Sequence, residues 1–157
     1  MMEVKGDVRV HVRRASSADV DAVAPLFDAY RQFYSQPSDL DAARRFLAER
    51  SARDESVVLV ANAGEGVVGF AQLYRSFSSV SLGPIVILND LFVVPPWRGS
   101  GVGRLLIEET ARFAAGEGAI RVEIATQHTN EGARRLYEAL GFIADTEFVH
   151  LSLPCHR

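Results

Sequence analysis

Two spacings of apolar residues dominate the start of the chain. Val8, Val10 and Val12 alternate with polar residues, which predicts a strand with one buried face. Between Val20 and Tyr34 the apolar residues recur at helical spacing, which predicts a helix with one apolar face. The chain therefore begins with a strand that leads into a helix.

The boundaries of the helices in this region follow from polar residues and a proline. Ser16–Asp19 resembles a capping box, with Asp in place of the usual Glu, and predicts the start of the first helix. Pro37 ends that helix, because proline lacks the backbone N–H and its ring clashes with the preceding turn. Ser38 is predicted to cap a second helix, from Asp39 to about Arg50.

The middle of the chain has the pattern of successive strands. Val57–Ala61 and Val67–Arg75 are predicted strands, separated by a turn at Asn62–Gly66. A Ser-rich loop, Phe77–Gly83, leads to a long apolar strand, Ile85–Val94, which ends at two prolines.

The last third returns to alternating element types. A helix is predicted from about Gly101 to Ala115, a strand over 120–124 and a helix from Asn130 to Leu140. Phe142–Ala144 and Phe148–Leu153 are predicted short strands. The order β-α-α-β-β-β-α-β-α-β-β predicts an α/β fold in which helices flank one mixed sheet. Without an internal linker or repeat, one domain over residues 1–157 is expected, with its core at about 8–153.

Composition and charge narrow the class of protein. The 157 residues are 48% hydrophobic and 24% charged, which is ordinary for a globular domain. A net charge of −3 argues against a nucleic-acid partner, and no apolar run reaches the roughly 18 residues of a membrane span. Cys155 has no second cysteine for an internal disulfide, so a cytoplasmic protein is expected. Neither His11 nor His128 has metal-ligand spacing, so no metal is predicted.

The most informative segment is the glycine-rich turn from Pro95 to Arg104. It lies between a buried strand and a helix, where the unpaired N–H groups and the helix dipole form an anion site. Arg98 and Arg104 add positive charge, so a phosphate or pyrophosphate is the expected ligand, and a structural turn is the alternative. A literal G-x-G-x-x-G over residues 64–69 runs into a strand instead, which predicts a hairpin turn.

Two blocks of sequence resemble a known family. Residues 98–103, RGSGVG, are similar to the R/Q-x-x-G-x-G/A signature of the GNAT superfamily of acyl-CoA-dependent N-acyltransferases. Residues 130–142 are similar to its second block, N-x-x-A-x-x-x-Y-x-x-x-G-F, and residues 88–93 to its fourth strand. The resemblance covers about 8–153, and residues 30–39 look most similar to the polyamine/diamine acetyltransferases and the yeast histone and polyamine acetyltransferases.

The resemblance implies a mixed, largely antiparallel sheet and acetyl transfer from acetyl-CoA to the primary amine of a small molecule, by direct attack in a ternary complex. The strand that carries Leu91–Val93 is expected to diverge from the next strand, so that the pantetheine arm can pair with its backbone. The Val93 N–H is the expected donor to the developing oxyanion. The residues implied to bind the cofactor are Leu91, Phe92, Val93, Arg98, Gly99, Ser100, Gly101, Val102, Gly103, Arg104, Asn130 and Ala133.

Proton transfer requires an acid and a base. The resemblance assigns Tyr137 as general acid, although its place on the apolar stripe of its helix also fits a core tyrosine. Asp90 is the candidate base, since a charge in an apolar strand is costly unless it is paired or used; a structural carboxylate is an equal alternative. Strand alternation places Asn89 and Asp90 on opposite faces. Asn89 departs from the acidic residue of related polyamine enzymes, and this weakens the assignment to that branch.

The acceptor side is expected near Tyr30, Asn89 and Asp90, whereas Asp28 alone fits a solvated helix face. Carboxylates and phenols suit a cationic amine. The sequence leaves two alternative functions open. One is a lysine or N-terminal acetyltransferase acting on proteins or peptides, and the other is a non-catalytic acyl-CoA sensor. A homodimer is expected, with the C-terminal strand Phe148–Leu153 as the pairing element.

Overall fold

The structure is a computed structural model, and it describes residues 2–5, 8–64 and 66–155. These residues group into two compact units, Met1–Ala125 and Thr126–Arg157. The prediction of a single domain therefore stays a prediction.

The first unit contains a sheet of six strands in sequence order. The first five strands pair antiparallel, and the sixth is parallel to the fifth, so the predicted mixed sheet flanked by helices is confirmed. A parallel pair needs a crossover connection, which a helix between the two strands supplies. The strands are β1 (Met2–Lys5), β2 (Val8–Arg14), β3 (Val57–Ala63), β4 (Gly66–Ser78), β5 (Gly83–Val93) and β6 (Val122–Ile124).

Three helices cover the sheet of this unit: α1 (Val20–Phe33), α2 (Leu40–Ala52) and α3 (Val102–Gly116). On one face, Phe27 of α1 packs with Phe70 of β4 in a buried cluster that also includes residues of α2. On the other face α3 lies close to β4. A Cβ at Gly69 would be 3.3 Å from the side chain of Leu106. The two faces thus carry different helices, and the α1 face is the one that carries the polar cluster described below.

Some boundaries of the sheet differ from the prediction. Strand β1 was not predicted, and β4 runs on into the expected Ser-rich loop, where Phe77 pairs with Pro84. The turn before β4 includes Gly64 at a φ of 59°, so the hairpin prediction for this glycine motif is confirmed. Periodicity misplaced these ends because backbone pairing, which periodicity does not report, decides where a strand stops.

Asp28 links the end of α1 to the start of α2 by hydrogen bonds, and these bonds show that two predictions were wrong. Its carboxylate accepts hydrogen bonds from the Ser38 hydroxyl at 2.6 Å and the Asp39 N–H at 2.8 Å. The prediction of a solvated face was wrong, because these bonds hold a side chain that is only 8% exposed. The prediction of Ser38 as the cap of α2 was also wrong. Its hydroxyl serves Asp28, and Asp39 caps the helix by accepting from Ala42 N–H at 2.9 Å.

The second unit contains one described helix, α4 (Glu131–Ala139), and no strand within residues 126–155. The predicted strands Phe142–Ala144 and Phe148–Leu153 were therefore wrong. The Phe142 N–H donates to the Tyr137 carbonyl at the helix end, and the Phe148 N–H donates to the Asp145 carboxylate at 3.1 Å. Alternating side chains do not make a strand when its amides bond locally.

Candidate active site

A β-bulge in β5 shapes the polar cluster on the α1 face. Gln72 of β4 pairs with Asp90, but the next residue of β4, Leu73, pairs with Leu88. Asn89 is therefore an extra residue in β5, and such a bulge breaks the alternation of side chains. The Asn89 amide donates to Asp90 Oδ1 at 2.9 Å. The prediction that these two side chains lie on opposite faces was wrong for this reason.

Asp90 is a buried carboxylate with polar neighbours. It is 5% exposed, and its Oδ2 accepts a hydrogen bond from Gln72 Nε2 at 2.7 Å. Burial raises the pKa of Asp90 above the ordinary carboxyl value, while the hydrogen bond from Gln72 and the nearby Tyr30 hydroxyl oppose the rise. A carboxylate whose pKa is raised toward neutral pH can accept a proton from an amine.

Tyrosine side chains surround this carboxylate. The Tyr30 hydroxyl donates to the Asn89 carbonyl at 3.3 Å, and its ring contacts Tyr34 with a centroid distance of 5.0 Å. Burial, followed by the charge of Asp90, raises the pKa of Tyr30 above its ordinary value. The same two causes raise the pKa of Tyr74 to about 12. Both phenols are therefore neutral at physiological pH and can serve as hydrogen-bond partners.

Sequence reasoning identified Tyr30, Asn89 and Asp90 but missed Gln72 and Tyr74. A signal for both was present in the alternation of β4. Residues 70, 72 and 74 share one face of that strand, and Gln72 is a fully buried polar residue within it. What the sequence lacked was the register that sets Gln72 opposite Asp90.

The end of β5 presents backbone groups at an open edge of the sheet. Strand β6 pairs only with Val86–Leu88, so no described strand pairs with 89–93 on that side. The Val94 N–H donates to the Val68 carbonyl at 3.0 Å, and in an antiparallel pair such bonds alternate. The backbone groups of Leu91 and Val93 therefore point toward the open edge. Those of Phe92, which pairs with Phe70, point toward β4.

The glycine-rich turn connects this edge to α3. Gly99 and Gly101 have φ values of 72° and 88°, which favour glycine, and α3 begins directly afterwards at Val102. The Leu105 N–H donates to the Gly101 carbonyl as the first bond of the helix, so the amides of Val102, Gly103 and Arg104 lie in the unpaired first turn. A Cβ at Gly99 would meet nothing within 4 Å. The turn therefore offers unpaired donors and open space to an anion.

The side chains of the turn mainly support its shape. Arg98 Nε donates to the Val93 carbonyl at 2.8 Å, and its guanidinium lies 5.3 Å from the centre of the Phe92 ring. The Ser100 hydroxyl donates to the Trp97 carbonyl, and Arg104 lies 3.8 Å from Glu108. Arg98 thus ties the turn to the end of β5.

In the second unit, Asn130 and Tyr137 hold the places expected from the helix pattern. Asn130 caps α4, and its Oδ1 accepts from the Ala133 N–H at 3.3 Å. Tyr137 is the buried residue of this helix, and its ring centre lies 5.7 Å from that of Phe142. The predicted acid therefore lies on the apolar stripe of α4.

None of the helices described is both long and apolar enough to cross a membrane. Within residues 2–5, 8–64 and 66–155, no three His, Cys, Asp or Glu side chains are grouped as metal ligands would be.

Comparison with known proteins decides the family. Residues 23–142 match the Acetyltransferase (GNAT) family over most of the chain. The chain belongs to the GNAT acetyltransferase family. This GNAT protein is therefore an N-acetyltransferase of a family that uses acetyl-CoA.

Relatives of this GNAT acetyltransferase support the assignment. It is 46% identical to the uncharacterized N-acetyltransferase YhfO of Bacillus subtilis, over 92% of this chain and 97% of the relative. It is 36% identical to the thialysine N-epsilon-acetyltransferase of Bos taurus, over 50% of this chain and 45% of the relative. The crystal structure of a probable acetyltransferase matches with a TM-score of 0.87 and 38% identity, over 94% of this chain and 99% of the other.

An aminoglycoside N-acetyltransferase solved in complex with CoA has the same fold, with a TM-score of 0.80. It covers 98% of this chain and 100% of its own, but at 21% identity the similarity extends to the fold alone.

Proposed function

We propose that this GNAT protein moves an acetyl group from acetyl-CoA to the primary amine of a small molecule, by direct attack in a ternary complex. The observation that carries the proposal is Asp90, a buried carboxylate with a raised pKa at the bulge of β5. It lies one residue before Leu91, whose backbone faces the open edge of the sheet. A proton acceptor thus sits beside the backbone that is expected to hold the acyl group.

The residues present fit acetyl-CoA. Unpaired amides in the first turn of α3 suit its pyrophosphate, because helix N-termini attract anions. The outward backbone of Leu91 suits an amide of the pantetheine arm, whereas the Val93 carbonyl already accepts from Arg98 Nε. When bound, acetyl-CoA supplies a thioester carbonyl for attack by the amine. The predicted contacts of Arg98, Gly99, Ser100, Gly101, Asn130 and Ala133 remain part of this proposal. The backbone groups of Phe92 point toward β4, so their predicted pairing with the pantetheine arm is not kept.

Each step of the proposed acetyl transfer requires a particular residue of the chain. An alkyl ammonium has a pKa near 10.4, so Asp90 must take its proton before the nitrogen can attack. The Val93 N–H points to the open edge and would donate to the carbonyl oxygen as negative charge develops there. Tyr137 is the proposed proton donor to the leaving thiolate, an assignment that rests on the sequence resemblance.

The polar cluster supports a cationic acceptor. Tyr30 and Tyr74 offer neutral hydroxyls near one buried carboxylate, Asp90, and the ring of Tyr34 packs against that of Tyr30. Aromatic faces attract ammonium groups. The similarity to a thialysine N-epsilon-acetyltransferase over half of the chain is consistent with an amine acceptor. Polyamines and diamines are one class of acceptor within this proposal. Asn89 stands where related polyamine enzymes have an acidic residue, so the test must include polyamines.

The test is release of free thiol from acetyl-CoA with a panel of amines: polyamines, amino acids, aminoglycosides and a histone-tail peptide. Release with a small amine supports the proposal, and release with the peptide alone would replace it with a protein acetyltransferase. Binding of acetyl-CoA without release from any amine would support the sensor instead.

Asp90→Asn tests the base with little change of shape. We expect kcat to fall by about 10²–10⁴-fold, with affinity for acetyl-CoA unchanged. Asp19→Asn is the matched control: its side chain is 14% exposed and pairs with Arg13 at the other end of α1. An Asp90→Asn variant as active as Asp19→Asn would refute the role of Asp90.

We also propose a cytoplasmic homodimer, an expectation that comes from the sequence and the resemblance. Sedimentation at micromolar concentration tests the dimer, and a monomeric mass would contradict it.

A further inference from the structure

We propose that Gln72 is the positioning residue of Asp90, with an amide that pairs with the carboxylate before proton transfer and with the carboxylic acid after it. The inference deepens the proposed function and rests on Asp90 as the base. Gln72 itself touches neither the amine nor acetyl-CoA in this scheme.

The placement of Gln72 makes Asp90 its partner. The two residues are opposite each other in the β4–β5 register, and Gln72 Nε2 lies 2.7 Å from Asp90 Oδ2. Gln72 has no exposed surface, and a buried amide is costly unless its hydrogen bonds are made. The carboxylate across the ladder explains why an amide is there.

The second end of the amide points to a role beyond packing. Among the described residues, Gln72 Oε1 is buried and has no hydrogen-bond partner. Buried polar atoms without partners are uncommon in folded proteins and call for an explanation. A glutamine amide can donate from Nε2 to a carboxylate, or accept at Oε1 from a protonated carboxyl after rotation about its last torsion. Both ends are therefore used, one in each protonation state of Asp90.

The proton balance of the step is simple. The ammonium group gives one proton to an Asp90 oxygen, and its nitrogen keeps the electron pair that then attacks. Asp90 becomes a neutral acid whose O–H is donated to Gln72 Oε1. When Asp90 releases this proton to solvent, the amide returns to its first orientation.

Other groups around Asp90 do not replace this function. Tyr30 faces it from α1 and Tyr74 from β4, and both phenols remain neutral because their pKa values are raised. The charge of Arg50 in α2 lowers the pKa of Tyr74, but Arg50 is not among the groups that shift the pKa of Asp90. The neighbouring Asn89 binds the other carboxylate oxygen. Of the groups that lower the pKa of Asp90, Gln72 has the largest effect.

The experiment measures the pKa of Asp90 directly and through activity. Gln72→Met keeps the length of the side chain but removes both donor and acceptor. The bond to the charged carboxylate is stronger than the bond to the neutral acid, so its loss dominates. We therefore expect the pKa of Asp90, followed by ¹³C NMR of labelled carboxyl groups, to rise by about one pH unit. The apparent pKa on the acid side of the kcat/KM profile should rise by the same amount. In addition, kcat should fall while KM for acetyl-CoA stays constant. Thr110→Val, a change at a buried hydroxyl of α3, should move neither quantity.

Gln72→Glu is the second variant, in case the first does not fold. Two adjacent carboxyl groups resist being ionised together, so the apparent pKa on the acid side of the kcat/KM profile should rise by more than about one pH unit. An unchanged Asp90 titration in a folded Gln72→Met or Gln72→Glu protein would overturn the inference. If the wild type releases no thiol with any amine, the proposed function fails, and the NMR titration alone then decides the role of Gln72.

Discussion

Replacing Asp28 by alanine removes the link between α1 and α2. The carboxylate accepts from Ser38 Oγ at 2.6 Å, Asp39 N–H at 2.8 Å and Gln32 Nε2 at 3.1 Å. A hydrogen bond to a charged group contributes about 1.5–3 kcal/mol. Water can reach part of the vacated space, so we count the two shortest bonds at the lower value. The expected loss in the free energy of unfolding is about 3 kcal/mol.

Urea unfolding and thermal melting measure this loss. A loss of about 3 kcal/mol should lower the Tm by roughly 6–12 °C, with the urea m-value unchanged. Asp41→Ala is the matched control on the same helix pair, because its side chain is 78% exposed and forms an ion pair with Arg44 at 3.0 Å. We expect that change to alter the free energy of unfolding by less than about 0.5 kcal/mol.

The pH dependence gives a second check with a definite sign. Hydrogen bonds from Ser38 and Asp39 hold the pKa of Asp28 below its ordinary value in the folded protein. A carboxyl with a lowered pKa stabilises the fold above its unfolded pKa of about 3.9, and this stabilisation disappears as the pH falls through the folded pKa. The gap between wild type and Asp28→Ala should thus be constant near neutral pH and shrink below about pH 4. A gap under about 0.5 kcal/mol at pH 7, or one that persists unchanged in acid, would refute the reasoning.

Two glycines give further predictions. Gly69→Ala would place a Cβ 3.0 Å from the Phe92 carbonyl oxygen, so we expect the free energy of unfolding in urea to fall by about 1–3 kcal/mol. In the control Gly66→Ala the new Cβ would meet one atom, at 4.0 Å, so that change should be nearly neutral. Gly99→Ala has open space but a φ of 72°, so strain of about 1–2 kcal/mol should distort the turn and raise the Kd for acetyl-CoA in calorimetry. Gly116→Ala at the end of α3 should leave that Kd unchanged, and equal Kd values for both variants would contradict the role of the turn.

Much of the fold was predictable from the sequence because periodicity and turn chemistry are local. Apolar spacing located α1, α3 and the long strands, and the glycine pattern located the turn before α3. Gly99 and Gly101 adopt positive φ, a conformation that the residue type itself indicates. The family motifs likewise depend on short spacings, and the family match confirms that part of the interpretation.

The candidate site depended on contacts between distant residues. Nothing in residues 88–90 indicates a bulge, yet the bulge brings Asn89 and Asp90 to one side and sets Gln72 opposite the carboxylate. Asp28 shows the same limit. Its hydrogen-bond partners lie 10 and 11 residues away, in a segment that a helix-face argument treats separately.

The sequence alone determined the helices, the long strands and the glycine turns, since those preferences act over a few residues. Only the tertiary structure decided which strands pair and in what register, because pairing joins backbone groups that are remote along the chain. For that reason the apolar alternation at 148–153 formed no strand, whereas the register of β4 and β5 placed an amide beside Asp90.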